Sequence, residues 1–559
     1  MKLFMARLTG TQEQMGAQHG RLTATDAKQL FEFYRTMPER ALAGDSTEAS
    51  RFVVRQLTTA WQARLARSRP AELAARTRAF VEAATPGVSP RQRKIIALTM
   101  ATMDSMQNCV SLAARAQLGP FANPLTARAA AAAVPACSTV IAWGSLTTDG
   151  ELAFGRNFDF PGVGVWDRSP SFVVCAPARG AHGGARYGFF TARGADAPVV
   201  TVVNEAGLVL APHTRWHRDV TWGGAMIVDI VHDIARRAET LADAIRIARE
   251  RPASSSWGIA IGSAREKSAL VLELAGPHVE VVRPRGEYLL CTNRYRHEAL
   301  QRGQLAASHA WSHHSDHREQ RLRALVESHP EPLQPQDLLR FLGNRVAHAA
   351  PGQRRHFGSI LAQPTNVHAV AIAPASRRAF VGVDRAPCCE GAVAELTWEW
   401  DGPAGGWELG SSDGSGFTAR VTDDVVAPHD AATIYVRDAV RMFEATHDVA
   451  GARGLIERAI GVDPDDPSLR LAAAWLALEG GADDRAVIHV HAGLALETEP
   501  YRRGQLLACG ARAAKNDPAL RQRWLAELDR ASCDGADELR RRARRRAPLK
   551  TNLLMADAF

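Results

Sequence analysis

The sequence predicts an α+β protein in which a sandwich of sheets and helices lies between two helical segments. Short apolar stretches bounded by Gly, Pro and Asn turns occupy residues 137–395, and helical patterning interrupts them at 224–238 and 241–249. Strands followed by two helices and then by further strands are typical of helices packed on sheets. On both sides of this region, apolar residues recur at spacings of three and four, as in packed helices.

The first segment, residues 1–136, is predicted to be mainly helical after a short start. Residues 90–118 space their apolar side chains as one packed helix would. Residues 119–136 read GPFANPLTARAAAAAVPA, and this Ala- and Pro-rich composition predicts a linker or an exposed loop. The first segment is therefore expected to end at Ala136.

A β-hairpin is predicted directly after Cys137, at the start of the sandwich domain, residues 137–425. The apolar stretch 138–145 is followed by a turn containing Asp149 and Gly150 and then by the stretch 151–156. Successive side chains of a strand point to opposite faces, so Arg156 and Asn157 are expected on different sides of the sheet.

Residues 426–535 are predicted to form a helical extension that contains a weak repeat of 34 residues. Ala452, Leu455, Ala459 and Ile460 recur as Ala486, His489, Gly493 and Leu494. Such a period is similar to that of tetratricopeptide repeats, which bind protein partners, but two copies fit a plain helical bundle equally well.

The basic character of the chain is concentrated in its last segment, residues 536–559. The formal net charge is +8, and the stretch 540–550, RRRARRRAPLK, contains seven positive charges and no negative one. Arg540–Arg546 could contact nucleic acid or a membrane, but no nucleic-acid-binding motif accompanies them. A solvated helix end is the favoured interpretation.

Cysteine usage favours a cytoplasmic protein with reduced thiols. The eight cysteines are scattered, without Cys-x-x-Cys pairs or a His/Cys spacing suited to zinc. No secretory signal is recognisable at the N-terminus, and no run of 18 apolar residues predicts a membrane span.

A histidine-rich stretch within residues 295–356 allows two interpretations. His313-His314-Ser315-Asp316-His317 places imidazoles and a carboxylate close together, as a metal site would. The cluster matches no established ligand spacing, which favours a helical insertion with a polar surface. No metal and no other cofactor are therefore expected.

Cys137 is the candidate nucleophile. A thiol at this junction between the predicted linker and the first predicted strand could attack the carbonyl of Ala136. Hydrolysis of the resulting thioester would expose an α-amine that acts as a base near neutral pH. An inert core cysteine is the alternative, and composition alone favours it. Arg156 could lower the pKa of the thiol, and Asp159 could hold the amine, unless the two form only a structural ion pair.

Four motifs in order resemble the cysteine N-terminal-nucleophile (Ntn) hydrolases. They are the Cys-Ser-Thr at 137–139, Gly-Arg-Asn-Phe-Asp-Phe at 155–160, Asn-Glu-Ala-Gly-Leu at 204–208 and Cys-Thr-Asn at 291–293. The superfamily includes penicillin V acylases, bile salt hydrolases, acid ceramidases and acyl-coenzyme A:6-aminopenicillanate (isopenicillin N) acyltransferases. The resemblance is strongest to the last group, which also has a helical segment before the cysteine.

The resemblance implies a four-layer αββα sandwich and a role for each matching residue. Cys137 corresponds to the nucleophile, Arg156 and Asp159 to the pair that supports it, and Asn293 to the donor that stabilises the oxyanion. The turn at 204–208 corresponds to a structural turn that aims the following strand at the site.

Two positions depart from the pattern of penicillin V acylases and bile salt hydrolases. Their second oxyanion asparagine is replaced here by His213 or Thr214. Their late active-site arginine has no clear counterpart, because Arg377 and Arg378 are predicted to lie in a hairpin turn. Both departures bear on which substrate the protein binds more than on which residue is the nucleophile.

We therefore expect an enzyme that cuts itself between Ala136 and Cys137 and then acts on an N-acyl amide or acyl thioester. The expected partners are this small molecule, with acyl-coenzyme A as a candidate co-substrate, and the two cleaved chains remaining associated. The alternative is a non-catalytic scaffold whose helical tail binds a protein partner.

Overall fold

The computed structural model describes residues 2–38, 48–117, 136–178, 184–221, 223–305, 309–411, 414–422 and 425–544. The predicted linker lies outside these residues except for Ala136, and so do residues 545–559 of the predicted tail. All eight cysteines are described, and each is a free thiol.

Sixteen strands in the described parts of the chain form two sheets. The strands are β1 (Phe4–Gly10), β2 (Ser138–Ala142), β3 (Ala153–Asp159), β4 (Pro170–Pro177), β5 (Tyr187–Ala192), β6 (Thr201–Asn204), β7 (Leu208–Thr214), β8 (Ser256–Ser263), β9 (Ser268–Ala275), β10 (His278–Val282), β11 (Tyr288–Cys291), β12 (Asn366–Ala373), β13 (Arg378–Gly382), β14 (Val393–Trp398), β15 (Gly405–Glu408) and β16 (Phe417–Thr422). The nine-stranded sheet has the order β10-β9-β8-β7-β6-β5-β4-β1-β15, and the seven-stranded sheet has the order β11-β2-β3-β12-β13-β14-β16.

Eighteen α-helices lie among the described residues. They are α1 (Gln12–Leu22), α2 (Ala24–Pro38), α3 (Glu48–Ala66), α4 (Ala71–Ala84), α5 (Pro90–Ala101), α6 (Ser105–Gln117), α7 (Ile227–Arg237), α8 (Leu241–Arg249), α9 (Glu298–Gln301), α10 (His309–Glu327), α11 (Pro335–Leu342), α12 (Ala431–Thr446), α13 (Val449–Val462), α14 (Pro467–Glu479), α15 (Asp483–Leu496), α16 (Pro500–Ala513), α17 (Pro518–Arg530) and α18 (Ala536–Arg544).

The two sheets pack face to face and are covered by helices on both outer sides. One apolar cluster lies between the sheets and joins Phe154 and Val370 of one to Phe172 and Val209 of the other. A second cluster packs α7 and α8 on the nine-stranded sheet, and a third packs α11 on the seven-stranded sheet. The predicted αββα sandwich is confirmed.

The first segment is not only helical, because β1 is an inner strand of the nine-stranded sheet. It pairs in parallel with β4 and antiparallel with β15. Met5 faces the layer between the sheets, whereas Phe4 faces the helical layer. The continuous apolar run Phe4–Ala6 within FMARLTG is the pattern of a strand buried on both faces, and no strand was predicted here from the sequence.

The predicted hairpins and turns of the sandwich are present. β2 pairs antiparallel with β3, and β12 pairs antiparallel with β13. Asn204 closes the turn between β6 and β7, since its Oδ1 accepts from the Leu208 amide and its Nδ2 donates to the carbonyls of Ala235 and Ala238 in the α7 region. Gly207 supplies the positive φ of 84° that this turn requires.

Two helical predictions are modified by the structure. The single helix expected over 90–118 is two helices, α5 and α6, because the chain leaves the helical conformation at Thr102. The extension is helical from α12 onward, where α12 packs on α13 and α14 packs on α15. Whether these pairs constitute tetratricopeptide repeats stays a prediction.

Within the described ranges, the helix α18 at the end of the chain carries paired arginines. Arg540 binds Asp537, Arg542 binds Glu538, and Arg544 binds Asp529. Among the helices described, none is both long and apolar enough to cross a bilayer.

Replacement of Met5 by alanine should reveal how much β1 contributes to the sandwich. The Met5 side chain is fully buried between the sheets, so Met5→Ala is expected to lower the free energy of unfolding by about 2–5 kcal/mol. Leu57→Ala, at a position 67% exposed, should change it by less than about 0.5 kcal/mol. Urea denaturation followed by circular dichroism measures both, and equal effects would contradict a structural role of β1.

Candidate active site

Cys137 lies immediately before β2, in the buried layer between the sheets, and is only 1% exposed. Its amide N–H donates to Oδ1 of Asn293 at 3.1 Å. Its carbonyl accepts from Nη1 of Arg318 at 2.8 Å. The backbone of the residue expected to become the new N-terminus is therefore fixed on both sides by side chains.

Arg156 points into the same layer from β3, directly opposite Thr139 of β2. Its guanidinium donates to Nε2 of His213 at 2.6 Å and to the Pro212 carbonyl at 2.6 Å. Asn157, the next residue, donates instead to carbonyls on the helical side of the sheet, those of Leu342 and Leu361. The predicted separation of Arg156 and Asn157 onto opposite faces is confirmed.

His213 sits between the two sheets as a neutral imidazole. Burial, together with the charge of Arg156, lowers its pKa well below the ordinary value of histidine. Its Nε2 is within 2.9 Å of Thr139 Oγ1. An unprotonated Nε2 accepts from Arg156, so this histidine orients the guanidinium rather than competing with it for charge.

Asp159 lies at the end of β3, paired with Asn366 of β12. Its Oδ1 accepts from Asn366 Nδ2 at 2.8 Å, and its Oδ2 accepts no hydrogen bond from the described residues. Burial raises the pKa of Asp159 to about 7, although Arg318, Asn366 and Arg156 oppose the shift. This carboxyl group therefore titrates near neutral pH.

Asn293 connects the end of β11 to β7. Its Nδ2 donates to the backbone carbonyl of Thr214 at 3.0 Å and to the Thr214 hydroxyl at 3.2 Å. Its Oδ1 accepts from both Cys137 and Arg318, so the orientation of the carboxamide is determined by four partners. In the continuous chain, Asn293 thus holds the Cys137 amide, and its own amino group contacts Thr214.

Arg318 of α10 is the site residue that sequence reasoning missed. Besides the Cys137 carbonyl, its guanidinium reaches Ser138 Oγ at 2.7 Å and Asn293 Oδ1 at 2.8 Å, and the side chain is 1% exposed. The only sequence signal is its place on the inward stripe of an amphipathic helix, between Ser315 and Leu322. Arg377 and Arg378 lie at the β12–β13 turn, as predicted, and pair with Glu399 and Glu395.

Two opposing influences act on the Cys137 thiol. Burial and the charge of Asp159 raise its pKa, whereas the guanidinium groups of Arg156 and Arg318 and a backbone hydrogen bond from Asp159 lower it; on balance the pKa is raised. The arrangement thus places two permanent positive charges near a buried thiol, and these charges partly offset the cost of forming a thiolate there.

An arginine-rich pocket of about 540 Å³ opens beside the strand that precedes Asn293. Its lining includes the buried residues Cys291 and Thr292. Six arginines contribute to its wall: Arg215, Arg283, Arg285, Arg294, Arg296 and Arg323. The pocket is therefore suited to an anionic molecule.

Residues 146–385 match the family model described as acyl-coenzyme A:6-aminopenicillanic acid acyl-transferase. Over these residues the chain is similar to a family of Ntn-type acyltransferases. The matched span contains Arg156, His213, Asn293 and Arg318, and it begins after Cys137. The match indicates an enzyme of the Ntn type, an acyltransferase or amidase.

A solved structure of the Caenorhabditis elegans ortholog of N-acylethanolamine-hydrolyzing acid amidase is also similar to the chain. The identity is 13% and the TM-score is 0.29, over 43% of this chain and 93% of that chain. No curated protein matches the sequence.

The titration of Asp159 should be visible in the pH dependence of stability. Its pKa is raised from 3.8 to about 7 on folding, so the folded state binds the extra proton and loses stability as the pH rises between these values. The loss is on the order of 4 kcal/mol at most. Asp159→Asn should remove this component.

Thermal unfolding of wild type and Asp159→Asn from pH 4 to pH 8 measures the difference, and Asp149→Asn, at an exposed turn, is the matched control. Wild type should weaken relative to Asp159→Asn as the pH rises. Parallel profiles would show that Asp159 does not titrate in this range.

Proposed function

We propose that the protein is an autoproteolytic amidohydrolase or acyltransferase whose nucleophile is Cys137. The observation that carries the proposal is the contact set around this residue: its amide on Asn293, its carbonyl on Arg318, and two guanidinium groups acting on its thiol. A core cysteine without a function requires no such surroundings, because buried thiols are ordinarily packed against apolar atoms.

Self-cleavage begins when the Cys137 sulfur attacks the Ala136 carbonyl carbon. The C–N bond between these residues breaks, the nitrogen takes a proton, and a thioester joins Ala136 to the sulfur. Water then hydrolyses the thioester, which releases the carboxyl group of Ala136 and restores the thiol. The hydrogen bond from the Cys137 amide to Asn293 keeps the departing nitrogen in place throughout.

Turnover uses the same sulfur and the new α-amine. The sulfur attacks the carbonyl of an N-acyl amide or a thioester, and the amine receives the thiol proton and returns it to the leaving group. Asn293 is the proposed oxyanion donor, which requires its Nδ2 to leave Thr214 when substrate binds. Asp159, ionised above a pKa of about 7, would hold the protonated amine. His213 positions Arg156 beneath the sulfur.

The cleaved fragments are expected to remain together because β1 belongs to the first fragment and lies inside the sheet of the second. Seven residue pairs join β1 to β4. Arg76 of α4 also binds Asp196 at 2.6 Å in a buried ion pair that crosses the cut.

Intact-mass analysis tests self-cleavage. Wild type should give two species, residues 1–136 and 137–559, whose masses add to the 60.5 kDa chain plus one water. Cys137→Ala should give one uncut, inactive chain, since no other side chain occupies the position of the sulfur. Cys509→Ala, a buried cysteine in α16, should cut normally.

An uncut wild-type chain that still hydrolyses amides would contradict self-cleavage. It would not decide whether Cys137 is the nucleophile. Turnover retained by Cys137→Ala would remove the nucleophile itself. An uncut wild-type chain without any activity would favour the scaffold.

The arginine-rich pocket supports acyl-coenzyme A as the acyl donor, and hence transfer rather than hydrolysis alone. Arg283 and Arg285 are exposed on its wall, and neither guanidinium forms an ion pair with any other residue that the structure describes. Unpaired guanidinium groups are favourable ligands for phosphates. The lining includes Thr292 and Arg294, the two neighbours of Asn293 in the sequence.

Replacement of Arg283 and Arg285 should weaken the use of acyl-coenzyme A but not the use of a neutral N-acyl amide. The double variant Arg283→Ala/Arg285→Ala is expected to raise KM for acyl-coenzyme A by about tenfold or more, because charge-assisted hydrogen bonds to phosphate are lost. KM for a neutral N-acyl amide should stay unchanged. Steady-state kinetics with both donors measures this, with Arg302→Ala, 76% exposed, as control. Equal losses for both donors would contradict a phosphate-binding role.

A further inference from the structure

The helix that carries Arg318 also carries a stripe of histidines on its other side. His309, His313 and His317 follow one another at intervals of four residues along α10. The rings of His313 and His317 lie 3.9 Å apart, centroid to centroid. Side chains four residues apart share one face of a helix, which is how a pair of helical histidines binds zinc.

Glu499 completes this cluster from a distant part of the sequence. It is the residue before Pro500, at the start of α16 in the helical extension, and its side chain is 1% exposed. Its Oε1 contacts Nε2 of His313, while its Oε2 accepts no hydrogen bond from the described residues. One ligand atom each from His313, His317 and Glu499 lies within 4.8 Å of the other two.

We propose that His313, His317 and Glu499 form a binding site for a divalent transition metal, with Zn²⁺ as the best fit. Two imidazole nitrogens and one carboxylate oxygen are a ligand set that zinc uses, with the fourth position left to water or another side chain. Ligands across a tetrahedral zinc are about 3.4 Å apart, so a small inward movement of the three side chains completes the site.

Two atoms of the cluster have no hydrogen-bond partner among the described residues. They are Nδ1 of His317 and Oε2 of Glu499, and both are buried. The guanidinium groups of Arg355 and Arg502 stay 3.7 and 3.8 Å from this carboxylate, at the edge of ion-pair distance.

A second cluster, His356 with Asp463 and Asp466, fits a metal less well. Burial lowers the pKa of His356, but hydrogen bonds to Asp430 and Asp466 outweigh it and raise the pKa above the ordinary value. Its Nδ1 already lies 2.8 Å from Asp466. Three carboxylates, those of Asp430, Asp463 and Asp466, lie within 3.7 Å of this imidazole and favour its protonated form over metal ligation.

The proposed site would join the sandwich to the helical extension at a mechanistically sensitive place. His317 directly precedes Arg318, whose guanidinium holds the Cys137 carbonyl. A metal at His313, His317 and Glu499 would therefore fix α10 against the start of α16 and stabilise the position of Arg318. Its role is structural and does not depend on whether Cys137 is the nucleophile.

Zinc binding to the purified full chain, stripped of metal with a chelator, tests the proposal. Isothermal titration with Zn²⁺ should show one equivalent bound to this cluster and a raised midpoint of thermal unfolding. His313→Ala/His317→Ala should lower the affinity on the order of a hundredfold. His278→Ala/His297→Ala, a pair outside the cluster, should bind as wild type does.

Replacement of zinc by Co²⁺ gives a readout that needs no destabilising variant. Wild type should show the visible absorption of tetrahedral cobalt with nitrogen and oxygen ligands, and Glu499→Gln should weaken or shift it. Absence of binding to wild type, or equal binding by His313→Ala/His317→Ala, would overturn the proposal. Loss of binding in the control pair alone would also overturn it, since it would place the metal elsewhere.

Discussion

The site depends on the hydrogen-bonded register of β2 and β3. This register sets Thr139 opposite Arg156, which sends the guanidinium into the space between the sheets and leaves Cys137 at the end of the hairpin. A shift of one residue would send Asn157 inward and turn Arg156 toward the helices. Because the register is continued by β12 on the other side of β3, the surrounding sheet fixes it.

Burial of so many polar groups in one layer is the second constraint. Inside the sandwich an unpaired polar atom costs about 1–3 kcal/mol, so each group must find a partner in another element. Arg156 donates to β7, Asn293 bonds to Cys137, β7 and α10, and one oxygen of Asp159 accepts from β12. The result is a network in which Cys137 is held by elements far apart in sequence, and this rigidity is what self-cleavage and covalent catalysis require.

Sequence patterns predicted the layered sandwich and the hairpin that places Cys137 near Arg156, because alternating apolar residues and turn glycines are local features of strands. Asn293 was expected only from the resemblance to relatives. Arg318 had no such local feature: its role comes from the packing of α10 against β2 and β11, which no local pattern encodes. Glu499 was hidden for the same reason, since it meets His313 across 186 positions. β1 was not predicted for a different reason. A strand buried on both faces has a short apolar run without alternation, and periodicity does not distinguish such a run from a piece of helix. The resemblance to relatives supplied roles, but not the contacts that His213 and Thr214 make in this chain.

The central claim is that the Cys137 sulfur carries the acyl group. Mass spectrometry of the enzyme quenched in acid during turnover of an acyl thioester or N-acyl amide tests it most directly. We expect one acyl group on the fragment that begins at residue 137, located by peptide sequencing on the sulfur of its first residue. Turnover with no acyl group at this position, or with the group on another cysteine, would contradict it.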